Sequence, residues 1–259
     1  SFMEHDFTSG SVWKKLLLFA VPIFGANLLQ ALYGTVDLFV VGLFADASAV
    51  SAVSTGSMTM QTITGIITGL TMGCTVLLGQ NIGKKDEAAA ERTVGSALWL
   101  FVTVGILLAV IVAVLAVGIA SVINAPAEAF SQTTDYIRIC GIGIICIVMF
   151  NAIGGMFRGL GDARTPLALM GVACVVNIAG DFALVGALKM GVAGAALATV
   201  AVQGILSTFL VRIPVSYAMS KVSGVTLFQI GFATPLATVF GIILSASCVI
   251  YYERKRKKA

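Results

Sequence analysis

Long apolar blocks dominate this sequence and limit what it can fold into. The first runs from Lys14 to about Phe44, and the second from about Ala49 to Asn81. Each exceeds the roughly 20 residues that a helix needs to cross a lipid bilayer. Hydrophobic residues make up 58% of the chain and charged residues only 11%, which leaves too little polar surface to cover a water-soluble core. The sequence therefore predicts an integral membrane protein.

The rest of the chain continues this pattern. A third block runs from Val94 to Ile123, a fourth from about Tyr136 to Phe157, and a fifth from about Leu167 to Leu188. A sixth begins near Met190, and a last one covers about Leu227 to Tyr252. The blocks do not alternate as strands would, and backbone groups in lipid must be satisfied within each segment, so we expect helices. The predicted fold class is all-α, a polytopic membrane helical bundle of about seven or eight helical segments.

The cationic residues predict how the bundle is oriented. Lys14 and Lys15, the loop over 84–92 and the loop over 158–164 are rich in lysine and arginine, whereas the loops near Asp46 and over 124–128 are not. Loops rich in lysine and arginine tend to stay on the cytoplasmic side. We therefore predict a multi-pass protein of the cell (inner or plasma) membrane with a cytoplasmic N terminus.

The sixth block departs from this alternation. As a single helix, the stretch over 190–221 would be roughly 48 Å long, against a hydrocarbon core of about 30 Å. It also contains Arg212 and Pro214. If it were one span, the basic tail over 253–259 would lie outside the cell, against the charge rule. We therefore expect this stretch to turn back, to break, or to mark a missing span.

Other functional classes find little support in the sequence. The cations lie in short loops and one tail, which does not suggest a nucleic-acid surface. His5 precedes the first block, and no cysteine has zinc-ligand spacing with a histidine or a second pair. No nucleophile–base pair or phosphate loop is evident, so we expect no enzyme activity and no cofactor.

Two acidic residues interrupt the apolar blocks. Asp37 lies in the first block and Asp181 in the fifth. A buried aspartate costs about 2.5–3.5 kcal/mol on insertion scales, so intramembrane acids are candidates for function. Asn177 precedes Asp181 by four residues and shares its helix face, and Thr199 on the next helix adds a hydroxyl oxygen. These oxygens suit a small cation or a proton, and we expect the four side chains to converge on one polar pocket. Structural roles for either aspartate, in solvent near the outer interface or within the bundle, remain open alternatives.

Several motifs, taken in order, resemble the first six helices of a bacterial multidrug and toxin extrusion (MATE) transporter. The resemblance covers roughly residues 10–205. Its motifs are Pro22 with Tyr33 and Asp37, the charged run over 83–89, the loop over 157–166, the face from Asn177 to Asp181, and the small-residue run over 191–199.

This resemblance implies a function and a set of site residues. Members of the family export cationic and amphipathic compounds in exchange for H⁺ or Na⁺. The implied coupling site, where Na⁺ would be held, consists of Asp37, Asn177, Asp181 and Thr199. Implied polar neighbours are Tyr33, Tyr136 and Asn151, and Pro22 matches a proline at which the first helix bends. The implied partners are small organic cations or amphipathic drugs and membrane lipid, with no nucleic acid.

The C-terminal part of the sequence departs from the family pattern. The stretches over 207–217 and 228–238 resemble the family's last two helices, while the four helices before them are missing. The predicted division is a cytoplasmic N-terminal segment over 1–13, an N-lobe helical bundle over 14–205, a remnant of the C-lobe over 206–252 and a basic cytoplasmic tail over 253–259.

Three functions follow from this mixture of match and departure. The first is a cation- or proton-coupled antiporter that exports small organic molecules. The second is an internally truncated, transport-inactive form, or a membrane scaffold that needs a partner chain, which includes a homodimer. The third is a flippase of related fold for lipid-linked substrates. Such flippases favour cationic cavities, whereas the intramembrane residues found here are carboxylates.

Overall fold

The computed structural model describes residues 12–204 of the chain, and all of its regular elements there are helical. The helices are α1 (Val12–Phe44), α2 (Ala47–Gly83), α3 (Glu87–Val122), α4 (Phe130–Ile142), α5 (Ile144–Gly159) and α6 (Arg164–Asp181), followed by a π-helical stretch (Phe182–Ala187) and α7 (Gly191–Gly204). The all-α fold class is thereby confirmed. The predicted C-lobe remnant, the basic tail and His5 lie outside the described residues.

Within residues 12–204, four helices are long and apolar enough to cross a membrane. They are α1, α2, α3, and α6 taken together with its π-helical extension. The pair α4 and α5 makes a fifth span if the two are counted together. Large apolar side chains such as Trp13, Phe24 and Val114 lie at least two-thirds exposed on the outside of the bundle, where a membrane helix meets lipid.

The fourth block was predicted to be one helix from Tyr136 to Phe157, and this is wrong in detail. The helix begins earlier, at Phe130, and it bends by 53° where α4 meets α5 at Gly143. A Cβ atom at Gly143 would overlap the side chain of Val200 on α7. The glycine therefore allows α7 to pass close to the backbone at the bend.

Four of the turns that follow the helices have the same backbone arrangement. In each, a residue in the left-handed region follows the helix: Lys85 (φ 59°), Asn124 (φ 51°), Gly161 (φ 84°) and Lys189 (φ 52°). The next N–H then bonds back to the helix, as when Asp86 N donates to Asn81 O at 3.0 Å. This arrangement satisfies carbonyls that the end of a helix leaves unpaired. Short turns of this kind keep consecutive helices adjacent and antiparallel.

The helices form two groups that α7 joins. Helices α2, α3, α4 and α5 pack against one another, and α1 packs mainly on α6. On α7, Val200 lies against Gly143, Ala198 approaches Gly180 of α6, and Thr199 bonds Asp37 of α1. Because α7 touches both groups, its side chains can complete a site between α1 and α6.

Candidate functional site

The two intramembrane carboxylates meet inside the bundle. Asp37 is 6% exposed and Asp181 is fully buried, and their carboxyl groups lie close enough to interact electrostatically. Thr199 Oγ1 donates a long hydrogen bond of 3.5 Å to Asp37 Oδ2. Three residues from three different helices, separated by up to 162 positions in sequence, therefore share one buried space.

The local helices explain how each carboxylate is positioned. Asp37 lies on the inner side of α1 close to Val40 and Val41, both fully buried. Asp181 ends α6 on a buried face that also contains Met170, Ala173 and Asn177, spaced as one helix face requires. The chain continues from Asp181 directly into the π-helical stretch. Such stretches are rare and are found frequently at functional sites.

Several polar atoms of this site have no partner among the residues that the structure describes. They are Asp37 Oδ1, both carboxylate oxygens of Asp181, and both amide atoms of Asn177. Leaving a buried polar group unsatisfied costs about 1–3 kcal/mol. Within the described chain, the groups that interact with the two carboxylates are each other, Thr199 and nearby tyrosine and cysteine side chains, with no lysine or arginine among them. Hard oxygen donors without a cationic partner are the chemistry that fits a small cation such as Na⁺, or protons.

Two tyrosines adjoin the carboxylates. Tyr33 lies beside Asp37 and the side chain of Gln203. Tyr136 is 3% exposed, its ring lies against Gly56, and it is near enough to Asp37 and Tyr33 to interact with both electrostatically. The structure thus brings both tyrosines, which the sequence had marked only by resemblance, into the neighbourhood of Asp37.

Gln203 was missed by the sequence analysis. Its Oε1 atom is buried and has no hydrogen-bond partner in the described part of the chain. A signal was available, because Gln203 follows Thr199 by four residues and so lies on the same face of α7. Glutamine side chains commonly form hydrogen bonds between membrane helices, so the sequence alone does not distinguish Gln203 as a functional residue.

Two residues predicted to belong to the site show no contact with this cluster among the contacts found in the described chain. Asn151 Nδ2 donates to Ile147 O at 2.8 Å within its own helix. Pro22 lies inside α1, which continues through it as one helix. Roles for Asn151 near the site and for Pro22 in helix bending stay predictions.

The MatE family model matches residues 22–183. Two similar curated proteins come from Bacillus subtilis (strain 168): the probable multidrug resistance protein YpnP is 30% identical over 201 residues, 78% of this chain and 45% of that protein. The probable multidrug resistance protein YoeA is 31% identical over 205 residues, 78% of this chain and 44% of that protein.

Solved structures show the same fold. A multidrug resistance MATE family transporter in an outward-facing conformation matches with a TM-score of 0.74 at 22% identity, over 91% of this chain and 52% of that one. A transporter of the MOP superfamily from Pyrococcus furiosus also matches with a TM-score of 0.74, at 23% identity and over the same shares. The chain spans about half the length of the proteins that it matches.

Proposed function

This chain belongs to the MATE family of multidrug efflux transporters, and we propose that it contains the ion-coupling site of an exporter for small organic, often cationic, molecules. One observation carries the proposal. Asp37 and Asp181 are buried against each other between membrane helices, without a lysine or arginine beside them in the described chain. Two such carboxylates are costly in lipid, and binding of Na⁺ or protons would offset that cost.

The ion would couple to transport through occupancy of this pocket. With Na⁺ bound, Asp37 and Asp181 would supply charge, and Thr199 Oγ1 and Asn177 Oδ1 would supply neutral oxygens. With protons, the two carboxyl groups would be neutralised directly. Either ion removes negative charge from the space between α1, α6 and α7, so the packing of these helices would depend on occupancy. Exchange of the organic molecule for the ion requires that the cavity for the organic molecule open when the ion pocket empties.

The chain on its own supplies only part of a transporter of this kind. It spans about half the length of its relatives, and transporters of this type move one bundle against another around a site. One exposed face of α2 supports the inference that another helix packs against it. Gly65, Gly69 and Gly73 repeat every four residues, and a Cβ atom on any of them would meet nothing within 4 Å. Small residues at this spacing let a second membrane helix approach closely.

We therefore infer that the chain needs a second bundle, supplied by further sequence, a partner chain or a second copy. An internally truncated and transport-inactive form remains the alternative. Sequencing of the genomic locus around codons 204–207 tests it directly: helices encoded there and absent from the chain would support the deletion. We further propose a cytoplasmic N terminus in the cell membrane, from the cationic loops over 84–92 and 158–164.

The test of the proposed function is an efflux assay in a host without its own exporters. We expect the chain alone to give no export, whereas a full-length relative gives export in the same host. The purified chain should nevertheless bind Na⁺ or protons. Asp37→Asn and Asp181→Asn should each abolish Na⁺ binding, and each should remove one of the two carboxyl groups that take up protons. Glu91→Gln, which neutralises an exposed carboxylate on α3, is the matched control and should change nothing.

The outcomes of this assay separate the alternatives. Export by the wild-type chain that both aspartate variants abolish would show a working transporter, assembled from copies of the chain. Ion binding that survives both aspartate substitutions would contradict the coupling site itself.

A further inference from the structure

A row of glycines runs along the exposed side of α2, and a glutamine continues it. Gln61, Gly65, Gly69 and Gly73 follow one another at intervals of four residues, so they form one ridge along the helix surface. Among the described residues, a Cβ atom on any of the three glycines would meet nothing within 4 Å. The bundle formed by residues 12–204 therefore leaves this ridge uncovered.

The amide of Gln61 lies where lipid satisfies it poorly. Gln61 is exposed in the central part of α2, where a membrane helix meets hydrocarbon, and its side chain makes no hydrogen bond within residues 12–204. The exposed hydroxyls of Thr62 and Thr68 differ, because they donate to Met58 O at 3.0 Å and Thr64 O at 2.8 Å, one turn earlier in the same helix. An amide without a partner in hydrocarbon is costly. Gln61 therefore indicates a polar partner from outside the described chain.

A second copy of the chain supplies that partner. An amide both donates and accepts hydrogen bonds, so two copies of Gln61 can satisfy each other in a twofold contact where the same patch meets itself. The glycines are self-complementary in the same way, since they let two helix backbones approach closely. Both copies insert with the same orientation, because the same cationic loops stay on the cytoplasmic side. Helix α2 would then meet its copy in parallel and at the same depth.

We propose that the ridge of Gln61, Gly65, Gly69 and Gly73 is the contact face of a homodimer, in which α2 of one copy packs against α2 of a second copy. The proposal rests on the proposed function, which requires a second bundle, and deepens it by naming that bundle and its contact face. The chain spans about half the length of its relatives, so two copies together approach the length of one of them. The ridge contains none of the residues proposed for the coupling site.

The test measures association of the full chain in liposomes. Donor and acceptor fluorescent proteins are fused to the C terminus of separate copies, and energy transfer is followed as the protein-to-lipid ratio is lowered. We expect Gly69→Leu to raise the protein density at which half of the copies associate by about tenfold or more, because its side chain keeps the two backbones apart. Gln61→Met keeps the length of the side chain and removes the amide. It should raise that density about threefold, the effect of an average hydrogen bond between membrane helices.

Gly118→Leu on α3 is the matched control. Among the described residues, a Cβ atom at Gly118 also meets nothing within 4 Å, but the residues one turn away on either side are Val114 and Val122, so no glycine ridge passes through it. This variant should associate as the wild type does. Gly69→Leu should also bind Na⁺ or protons as the wild type does, which assigns its loss to the contact between copies.

Each failure has its own signature. Energy transfer that is unchanged in Gly69→Leu would overturn the α2 face. A wild type without energy transfer at any density would overturn the homodimer, and a loss of thermal stability in Gly69→Leu would then show that residues 205–259 of the same chain cover the ridge. A wild type that associates but binds no ion would contradict the proposed function and leave the contact face standing. If Gly69→Leu does not fold, Gly65→Leu takes its place, with the same expected loss of association and the same contradicting result.

Discussion

The contact between α2 and α5 differs sharply from the space between α1, α6 and α7. At the first, Gly155 and Gly159 let α5 approach the backbone of α2, and Thr75 Oγ1 donates across the contact to Gly155 O at 2.9 Å. Thr71 Oγ1 is likewise paired, with Ile67 O at 2.8 Å. In the second, Asn177 and Asp181 are buried without hydrogen-bond partners in the described chain.

This difference separates stability from function within one bundle. Membrane helices associate through close packing and satisfied hydrogen bonds, and the α2–α5 contact has both. The space between α1, α6 and α7 has buried polar groups that only a ligand would satisfy. We therefore expect substitutions at the α2–α5 contact to change stability, and substitutions in the other region to change ion binding.

The largest expected effect is at Gly155. In Gly155→Ala the new methyl group would overlap the Thr71 methyl and lie 2.9 Å from Thr75 Oγ1, so the two helices must separate. Overpacking of this kind costs about 1–3 kcal/mol, which should lower the free energy of unfolding by that amount. Unfolding of the purified chain in detergent, followed by circular dichroism, measures it.

Gly95 on α3 is the control for this substitution. A Cβ atom there would meet nothing within 4 Å, and alanine is the better helix former by roughly 0.5–1 kcal/mol. Gly95→Ala should therefore leave the stability unchanged or raise it slightly. Equal losses of stability in the two variants would show that close packing at the α2–α5 contact is not the cause.

A smaller effect is expected when the hydrogen bond across the α2–α5 contact is removed. Thr75→Val keeps the shape of the side chain but takes away the hydroxyl that bonds Gly155 O. Hydrogen bonds between membrane helices contribute about 0.6 kcal/mol on average, and we expect a loss of that size. Thr103→Val provides the comparison, since Thr103 Oγ1 bonds only Trp99 O of its own helix on the exposed side of α3. An equal loss of stability in Thr103→Val would show that the hydrogen bond between the helices contributes no more than one within a single helix.

The smallest change in stability is expected at Asp181, with the largest change in ion response. Asp181→Asn keeps the size of the side chain and removes a charge whose burial beside Asp37 is costly, so the free energy of unfolding without added ion should stay the same or rise slightly. The stabilisation that Na⁺ gives the wild type should disappear, and the stabilisation that low pH gives it should shrink, because Asp37 can still take up a proton. A marked loss of stability in ion-free buffer would show that Asp181 is a structural residue, and the contrast between the two regions would fail.

The sequence predicted most helices and the turns between them. The first three blocks match α1, α2 and α3 to within a few residues at most ends, since long apolar runs leave few choices in lipid. Helix α3 begins earlier than the predicted third block, at Glu87, where Asp86 Oδ1 accepts from Ala89 N at 2.9 Å. The bend at Gly143 was not predicted, and the close approach of Val200 at that glycine joins residues more than fifty positions apart in sequence.

For the site, the sequence determined which residues are unusual and the tertiary structure decided which of them meet. Asp37 and Asp181 stand out because carboxylates are costly in lipid, and helical periodicity alone places Asn177 on the face of Asp181. Neither fact fixes how α1, α6 and α7 are rotated about their axes or shifted along them. That register aligns Thr199 with Asp37 and Gln203 with Tyr33, whereas the Asn151 amide bonds within its own helix. Register between helices is set by the packing of side chains from distant parts of the chain, and the spacing within any one helix does not contain it.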